Sequence, residues 1–329
     1  MVTGKIAFEE HYAIDETVAQ VEPFVGDSPT KNDFIRKVLD LGDERLEGMA
    51  RNGIDFAILS LNSAGIQQIL DTGEAVRIAR RANDVLADAV RRHPDKYGAF
   101  AALPMQDPDQ AAAELQRCVR DLGFLGGLVN GFTQKDTLDS AIYYDFPEYR
   151  SFWSTVSELD VPIYLHPRMQ LESRSQNLQG HPWLKSAPWG FAVETSIHAL
   201  RLCGSGLFDE FPNLKIGIGH LGENIPFALE RMDERMRFSR RGYRGRRLLG
   251  EYFRDHFYVT TSGNFSDPAF RCALEVMGID HLCFSSDYPF ERMEDGCSWF
   301  DATAVISDEE RVKIGRENAI KLFKLSHLM

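Results

Sequence analysis

The chain opens MVTGKIAFEEHYAI, an apolar run from Ile6 to Phe8 closed by Glu9, Glu10 and His11. Charged side chains at the end of a buried strand need a partner. One partner that takes carboxylate oxygen and imidazole nitrogen together is a divalent cation; the other reading of the triplet is a solvated turn. The same polar signature closes later apolar runs. PIYLHP (162–167) gives His166, followed by Arg168. KIGIGH (215–220) gives His220, followed by Gly222 and Glu223. FYVTTSG (257–263) ends in Thr260, Thr261, Ser262 and Gly263, and LCFSSD (282–287) in Asp287. FAILSLN (56–62) and GLVNGF (127–132) add Asn62 and Asn130. A lone histidine is more often a packed or surface residue than a ligand, but three of the nine histidines stand at run ends, with Glu9 and Asp287 beside them. Side chains alternate along a strand, so Glu9 and His11 face one way and Glu10 the other. Glu9, His11, His166 and Asp287 then form a mixed N/O set suited to zinc or manganese, with magnesium a third candidate and positions left for substrate. Glu10 braces the outer layer.

The elements that must position these groups follow from periodicity. Eight short apolar runs, the six above with IAFEEH (6–11) and YGAFAAL (97–103), read as strands. Between them, 34–52, 74–92, 108–122, 147–159, 194–208, 226–236, 268–277 and 308–322 carry apolar residues at spacings of three and four, the mark of amphipathic helices. Strands that read as continuous apolar runs are buried on both faces, as in parallel sheets covered by helices. The fold class expected is α/β, a (β/α)8 TIM-type barrel spanning 1–329 as a single domain, with its active site at the carboxyl ends of the strands. An open doubly wound sheet is the weaker alternative, because no Gly-rich phosphate loop follows the first strand.

The bulk properties exclude other classes. In 329 residues, 43% are hydrophobic and 26% charged, ordinary for a globular protein. No run reaches the roughly 18 apolar residues of a membrane span, and no apolar signal core follows the start, so a cytoplasmic location is expected. A net charge of −12 argues against nucleic acid as a partner. The five cysteines lack CxxC spacing and fit reduced structural thiols. Arg240, Arg241, Arg244, Arg246 and Arg247 read as a solvated face.

GKIAFEEHY, ELDVPIYLHPR, GHLGENIPF, TTSGNF and FSSDYPFE, in this order over essentially the whole chain, resemble the metal-dependent aromatic acid decarboxylases of the amidohydrolase superfamily, in particular the γ-resorcylate (2,6-dihydroxybenzoate) and 2,3-dihydroxybenzoate decarboxylases. The wider superfamily commonly opens with HxH; this chain has Glu-x-His, as the decarboxylase branch does. The resemblance implies a carboxy-lyase that decarboxylates an ortho-hydroxybenzoate, with Glu9, His11, His166 and Asp287 on the metal. It implies His220 and Glu223 as a hydrogen-bonded catalytic pair, and Phe24, Asn62, Asn130, Arg231 and Phe290 around the substrate. It also implies a homo-oligomer, a tetramer or dimer. Asp287 is the expected proton donor to the ring carbon. For Glu223 a second reading stands beside the catalytic one, a helix-start carboxylate stabilised by the dipole. Glu230 and Tyr288 stand where relatives commonly carry tryptophan, which alters the local wall. A hydrolase of an aromatic ester or lactone on the same barrel, and a barrel that only binds an aromatic acid, are the competing functions.

Overall fold

The structure, a computed structural model, describes residues 4–21 and 30–328. Its strands in chain order are β1 (Lys5–Tyr12), β2 (Ile54–Leu61), β3 (Tyr97–Ala102), β4 (Gly126–Asn130), β5 (Thr133–Lys135), β6 (Thr137–Ile142), β7 (Ile163–His166), β8 (Ile216–Ile218), β9 (Phe257–Thr260) and β10 (Leu282–Cys283). Eight of them form one sheet in the order β1-β2-β3-β4-β7-β8-β9-β10, every neighbouring pair parallel. Helices alternate with the strands, as the sequence periodicity implies, and the sheet curls into a nearly closed barrel. β5 and β6 make a separate antiparallel hairpin that periodicity does not announce.

Alternation along the strands builds two cores. One face of the sheet sends Ala7, Ala57, Leu59, Ala101, Val129 and Leu165 outward against the helices. The other sends Ile6, Phe8, Phe56, Ile58, Phe100, Leu128 and Tyr164 into the barrel, where Phe323 from the C-terminal segment joins them. Phe8 meets Phe323 at 5.0 Å and Tyr164 at 5.9 Å, both edge to face.

Three local departures from the sequence reading have visible causes. The helix expected over 34–52 is two, Lys31–Leu39 and Asp43–Arg51. The Asp40 carboxylate breaks it by accepting from Gly42 N at 2.9 Å and Arg45 N at 2.7 Å, an N-terminal cap for the second helix. Helices at Leu249–His256 and Met293–Ala302 lie outside the segments that periodicity marks, being short and rich in polar residues. The last strand, expected to reach Asp287, ends at Cys283.

Candidate metal centre and substrate cavity

The placement of Glu9 depends on a bulge. Ala7 pairs with Ala57 and Glu10 with Leu59, so β1 carries one residue more than β2 across this step. Phe8 N and Glu9 N both reach Ser285 Oγ, at 3.0 and 2.7 Å. Phe8 and Glu9 therefore share the interior face, where unbroken alternation from Ile6 and Phe8 would have put Glu10. Glu9 and His11 then look into the mouth of the barrel and Glu10 looks away. His166 ends β7, in register with Asn130. Asp287 follows β10 in a left-handed conformation, φ 67°.

These four residues are buried, and one donor atom from each lies within 4.8 Å of all the others. His11 Nε2 stands 3.2 Å from Asp287 Oδ1, and His166 Nε2 stands 3.6 Å from Glu9 Oε1. Among the described residues, Glu9 Oε1, His11 Nε2 and Asp287 Oδ1 have no hydrogen-bond partner despite their burial. A buried polar atom without a partner is costly, and a divalent cation satisfies all three at once. The outer contacts aim them. Glu9 Oε2 accepts from Tyr164, Thr260 (2.9 Å) and Ser262, which leaves Oε1 for the metal. His11 Nδ1 is 3.1 Å from Ser60 Oγ, which turns Nε2 inward. Gly219 is required for the approach, since a Cβ there would lie 2.8 Å from Glu9 Oε1.

His220, Leu221, Gly222 and Glu223 are four successive left-handed residues, three of them not glycine. Such conformations persist where surrounding structure holds them and gather at functional sites. The turn brings Glu223 Oε1 to 2.8 Å from His220 Nδ1 and His220 Nε2 to 3.7 Å from Asp287 Oδ2. Gly263 passes directly beneath; a Cβ there would sit 2.8 Å from His220 Cδ2.

The electrostatics divide the groups. Burial opposes charge on His220, but Glu223, Asp287 and Glu9 outweigh it and hold its pKa well above the ordinary value. Burial would raise Asp287, but nearby His11 and His220 win and hold it below the usual carboxylate range. Burial, then His11, keep His166 neutral, as a metal ligand must be. Burial pushes Glu9 up, against the pull of His220 and His11; a bound cation would reverse that push, being the largest charge in the site.

The cluster opens into a 320 Å³ cavity walled by Ser63, His166, Pro167, Phe191, Phe290 and Glu291, among others. A 250 Å³ chamber adjoins it, lined by His220, Glu223, Asn224, Gly263 and Asn264. Of the residues expected at a site, Glu9, His11, His166, His220, Glu223, Asp287 and Phe290 come together, the Phe290 ring lying 5.5 Å from His11. Others do not reach the cavity wall. Asn62 is fully buried, accepting from Thr17 Oγ1 at 3.0 Å and donating to the Ser63 carbonyl at 3.1 Å. Asn130 is buried beside Gly65. Arg231 is exposed on the helix Ile225–Phe238, in an outer groove with Phe227 and Arg254. Phe24 lies outside the described residues. The sequence shows Thr260 and Ser262 at a strand end but gives them no role, and for Tyr164 the available signal is a hydroxyl inside an apolar strand. Phe191 closes the aromatic stretch HPWLKSAPWGF (181–191), which the sequence offers as interface or pocket wall, and it lines the cavity; Ser63 carries no signal.

The model of the amidohydrolase family matches residues 39–325. The gamma-resorcylate decarboxylase of Rhizobium sp. (strain MTP-10005) is 49% identical over 324 residues, 98% of each chain. A solved 2,6-dihydroxybenzoate decarboxylase in complex with 2,6-dihydroxybenzoate superposes with a TM-score of 0.96 at 48% identity, covering 98% of this chain and 100% of that one. The dihydroxybenzoic acid decarboxylase of Polaromonas sp. JS666, solved with bound manganese and 2-nitroresorcinol, has a TM-score of 0.96 at 46% identity and covers 98% of both.

Proposed function

The chain belongs to the amidohydrolase family, and from that premise we propose that it is a carboxy-lyase, a metal-dependent enzyme that removes CO2 without oxidation from an ortho-hydroxybenzoate such as 2,6-dihydroxybenzoate. The observation that carries this reading is the buried Glu9, His11, His166 and Asp287 cluster at the floor of an open cavity. Manganese is the first candidate ion, and zinc and magnesium suit the same donors.

Glu9, His11, His166 and Asp287 would hold the cation, which would supply Lewis-acid stabilisation of charge on the bound acid. Losing CO2 directly would leave a localised aryl carbanion. Protonation of the carbon that bears the carboxylate avoids this. The ortho oxygen feeds electrons into the ring, the carbon takes a proton, and the C–C bond breaks as aromaticity returns and CO2 leaves. Asp287 delivers that proton in this reading. His220, held protonated beside Asp287 Oδ2, supplies the proton that the ionised Asp287 passes to the ring carbon, and is itself held in place by Glu223. Phe191 and Phe290 line the cavity and offer apolar faces against which the ring packs in this reading. Hydrolysis of an aromatic ester or lactone is not favoured, because relatives at this level of identity are decarboxylases. The same reading includes a homo-oligomer, a tetramer or dimer. Its support is the exposure of Phe227 (91%) and Phe238 (77%) on one helix, and sedimentation tests it.

The experiment is CO2 release from 2,6-dihydroxybenzoate, 2,3-dihydroxybenzoate and benzoate by the manganese-loaded protein, beside cleavage of an aryl ester and an aryl lactone. Release from a dihydroxybenzoate and none from benzoate is expected. Ester or lactone cleavage without CO2 release would replace the lyase by a hydrolase, and comparable rates on benzoate would overturn the role of the ortho oxygen.

A further inference from the structure

Asp287 is the ligand that the sheet does not hold. Among the described residues β10 ends at Cys283, and no ladder joins β10 to β1. Metal ligands must be placed within about 0.2 Å, so something else must fix the segment that carries Asp287 against β1.

Glu10 is built to do this. It is 1% exposed. Its Oε1 accepts from Ser286 N at 2.8 Å, Ser286 Oγ at 3.0 Å and Ser285 Oγ at 3.1 Å. Its Oε2 accepts from Ser286 Oγ at 2.8 Å and Tyr288 N at 3.2 Å. The two amides come from the residues on either side of Asp287, so one carboxylate straddles it. Main-chain bonds run alongside, Asp287 N to Glu9 O at 3.1 Å and His11 N to Tyr288 O at 2.7 Å. Arg45 Nη2 donates to the His11 carbonyl at 2.6 Å and its guanidinium lies 4.9 Å from the Tyr288 ring centre, clamping the same seam from behind. Because Glu10 sits on the reverse face of the peptide units that carry Glu9 and His11, it couples all three ligands through one side chain.

We propose that Glu10 is a positioning residue for the metal centre: it locks the Asp287 segment to Glu9 and His11 across the open seam of the barrel, and so sets both metal affinity and the alignment of Asp287 with the reacting carbon. This rests on the function proposed above.

Glu10→Gln tests it, since the amide keeps the shape but turns one acceptor into a donor facing Ser286 or Tyr288. The apoprotein is titrated with Mn2+ and free ion is read by electron paramagnetic resonance. Thermal unfolding is followed, and kcat and KM are measured at saturating Mn2+ with 2,6-dihydroxybenzoate. The Mn2+ dissociation constant is expected to rise about 10–100-fold, and kcat to fall at saturating metal while KM holds. Ser286→Ala, which removes the hydroxyl donor alone, shifts the same quantities less and decides the matter if Glu10→Gln does not fold. Lys5→Met, which breaks the Lys5–Asp301 pair (3.0 Å) at the start of the same strand, lowers Tm and leaves Mn2+ binding and kcat unchanged. The inference is overturned if the folded variants bind Mn2+ and turn over as the wild type does, or if Lys5→Met weakens Mn2+ binding as much as Glu10→Gln. A wild type that binds none of Mn2+, Zn2+ and Mg2+ overturns the proposed function, and this inference with it; a wild type and a Glu10→Gln that bind alike overturn only this one.

Discussion

The two ends of the barrel bury charge and aromatic surface in opposite ways. At the lower end, Phe8, Phe100, Tyr164 and Phe323 interlock edge to face or tilted, and the buried Lys5 meets Asp301 at 3.0 Å. At the upper end, Glu9 Oε1, His11 Nε2 and Asp287 Oδ1 face one another without hydrogen bonds, and the backbone around them is left-handed at His220, Glu223 and Asp287. Both ends bury their polar groups, although the upper one opens into the cavity. One is satisfied within the chain, the other only by a ligand. Tyr164 belongs to both: its ring packs in the lower cluster and its hydroxyl donates to Glu9. The contrast teaches that burial alone does not mark a structural core. Satisfaction of the buried polar atoms does.

The contrast breaks most completely at the upper end. His166→Ala should lose bound metal and fall to background turnover while the circular dichroism of the barrel is kept. Full metal occupancy in the folded variant, by elemental analysis, would show that the upper end is not a metal centre. Next in size is Asp287→Asn at saturating metal. An amide oxygen still coordinates but cannot deliver a proton, so a loss of about 10²–10⁴-fold in kcat is expected, with the aromatic acid still bound. In deuterium oxide the wild type should place deuterium on the carbon that carried the carboxylate. Near-normal turnover by Asp287→Asn would move the proton donor to His220.

The lower end should behave conversely. Phe100→Ala empties the aromatic cluster and should cost about 3–5 kcal/mol of stability, read by denaturant unfolding, with kcat unchanged at a temperature where the variant is folded. A large loss of kcat would show the two ends to be mechanically joined. An effect confined to acid pH concerns His198, buried under the segment after β6, where its Nε2 accepts from Tyr144 N at 3.2 Å. Burial, with Arg201 nearby, lowers its pKa to about 3 from an ordinary 6.5. The folded protein thus refuses a proton that the unfolded chain accepts below pH 6.5. Stability contributed by neutral His198 is complete above that pH and falls as pH drops from 6.5 toward 3, by about 1.4 kcal/mol per unit. His198→Gln should flatten that part of the stability profile; an unchanged slope assigns the dependence to other groups. The smallest change is Tyr164→Phe, which removes the hydroxyl shared by the two ends. About 1 kcal/mol of stability should go, with Mn2+ binding weakened about tenfold. Isothermal titration separates the two, and loss of stability without loss of affinity would place Tyr164 in the lower core alone.

Much of this organisation is legible in the sequence. Eight alternating strand and helix patterns specify the barrel, because a strand buried on both faces has to be apolar along its length. The polar residues closing those runs specify where chemistry collects. Glu9 and His11 share a face because they are two residues apart, whatever precedes them. Other features are illegible for equally physical reasons. The split of 34–52 depends on a single capping carboxylate, Asp40, inside a continuous apolar pattern. Arg231 and Asn62 carry the right chemistry, but periodicity does not say whether a side chain is turned to solvent or locked by a neighbour such as Thr17.

By itself, then, the sequence determined the fold class, the end of the barrel that is polar, and the set Glu9, His11, His166 and Asp287, since each follows from local pattern. Only the tertiary structure decided that the face shared by Glu9 and His11 is the one begun by Ile6 and Phe8. The bulge at Phe8 and Glu9 shifts the parity of β1, and it is held by Ser285, while Glu10 is held by Ser286, 276 positions away in sequence. Contacts over that distance leave no periodic trace in the chain, because they come into being only when the first and last strands of the barrel are brought together.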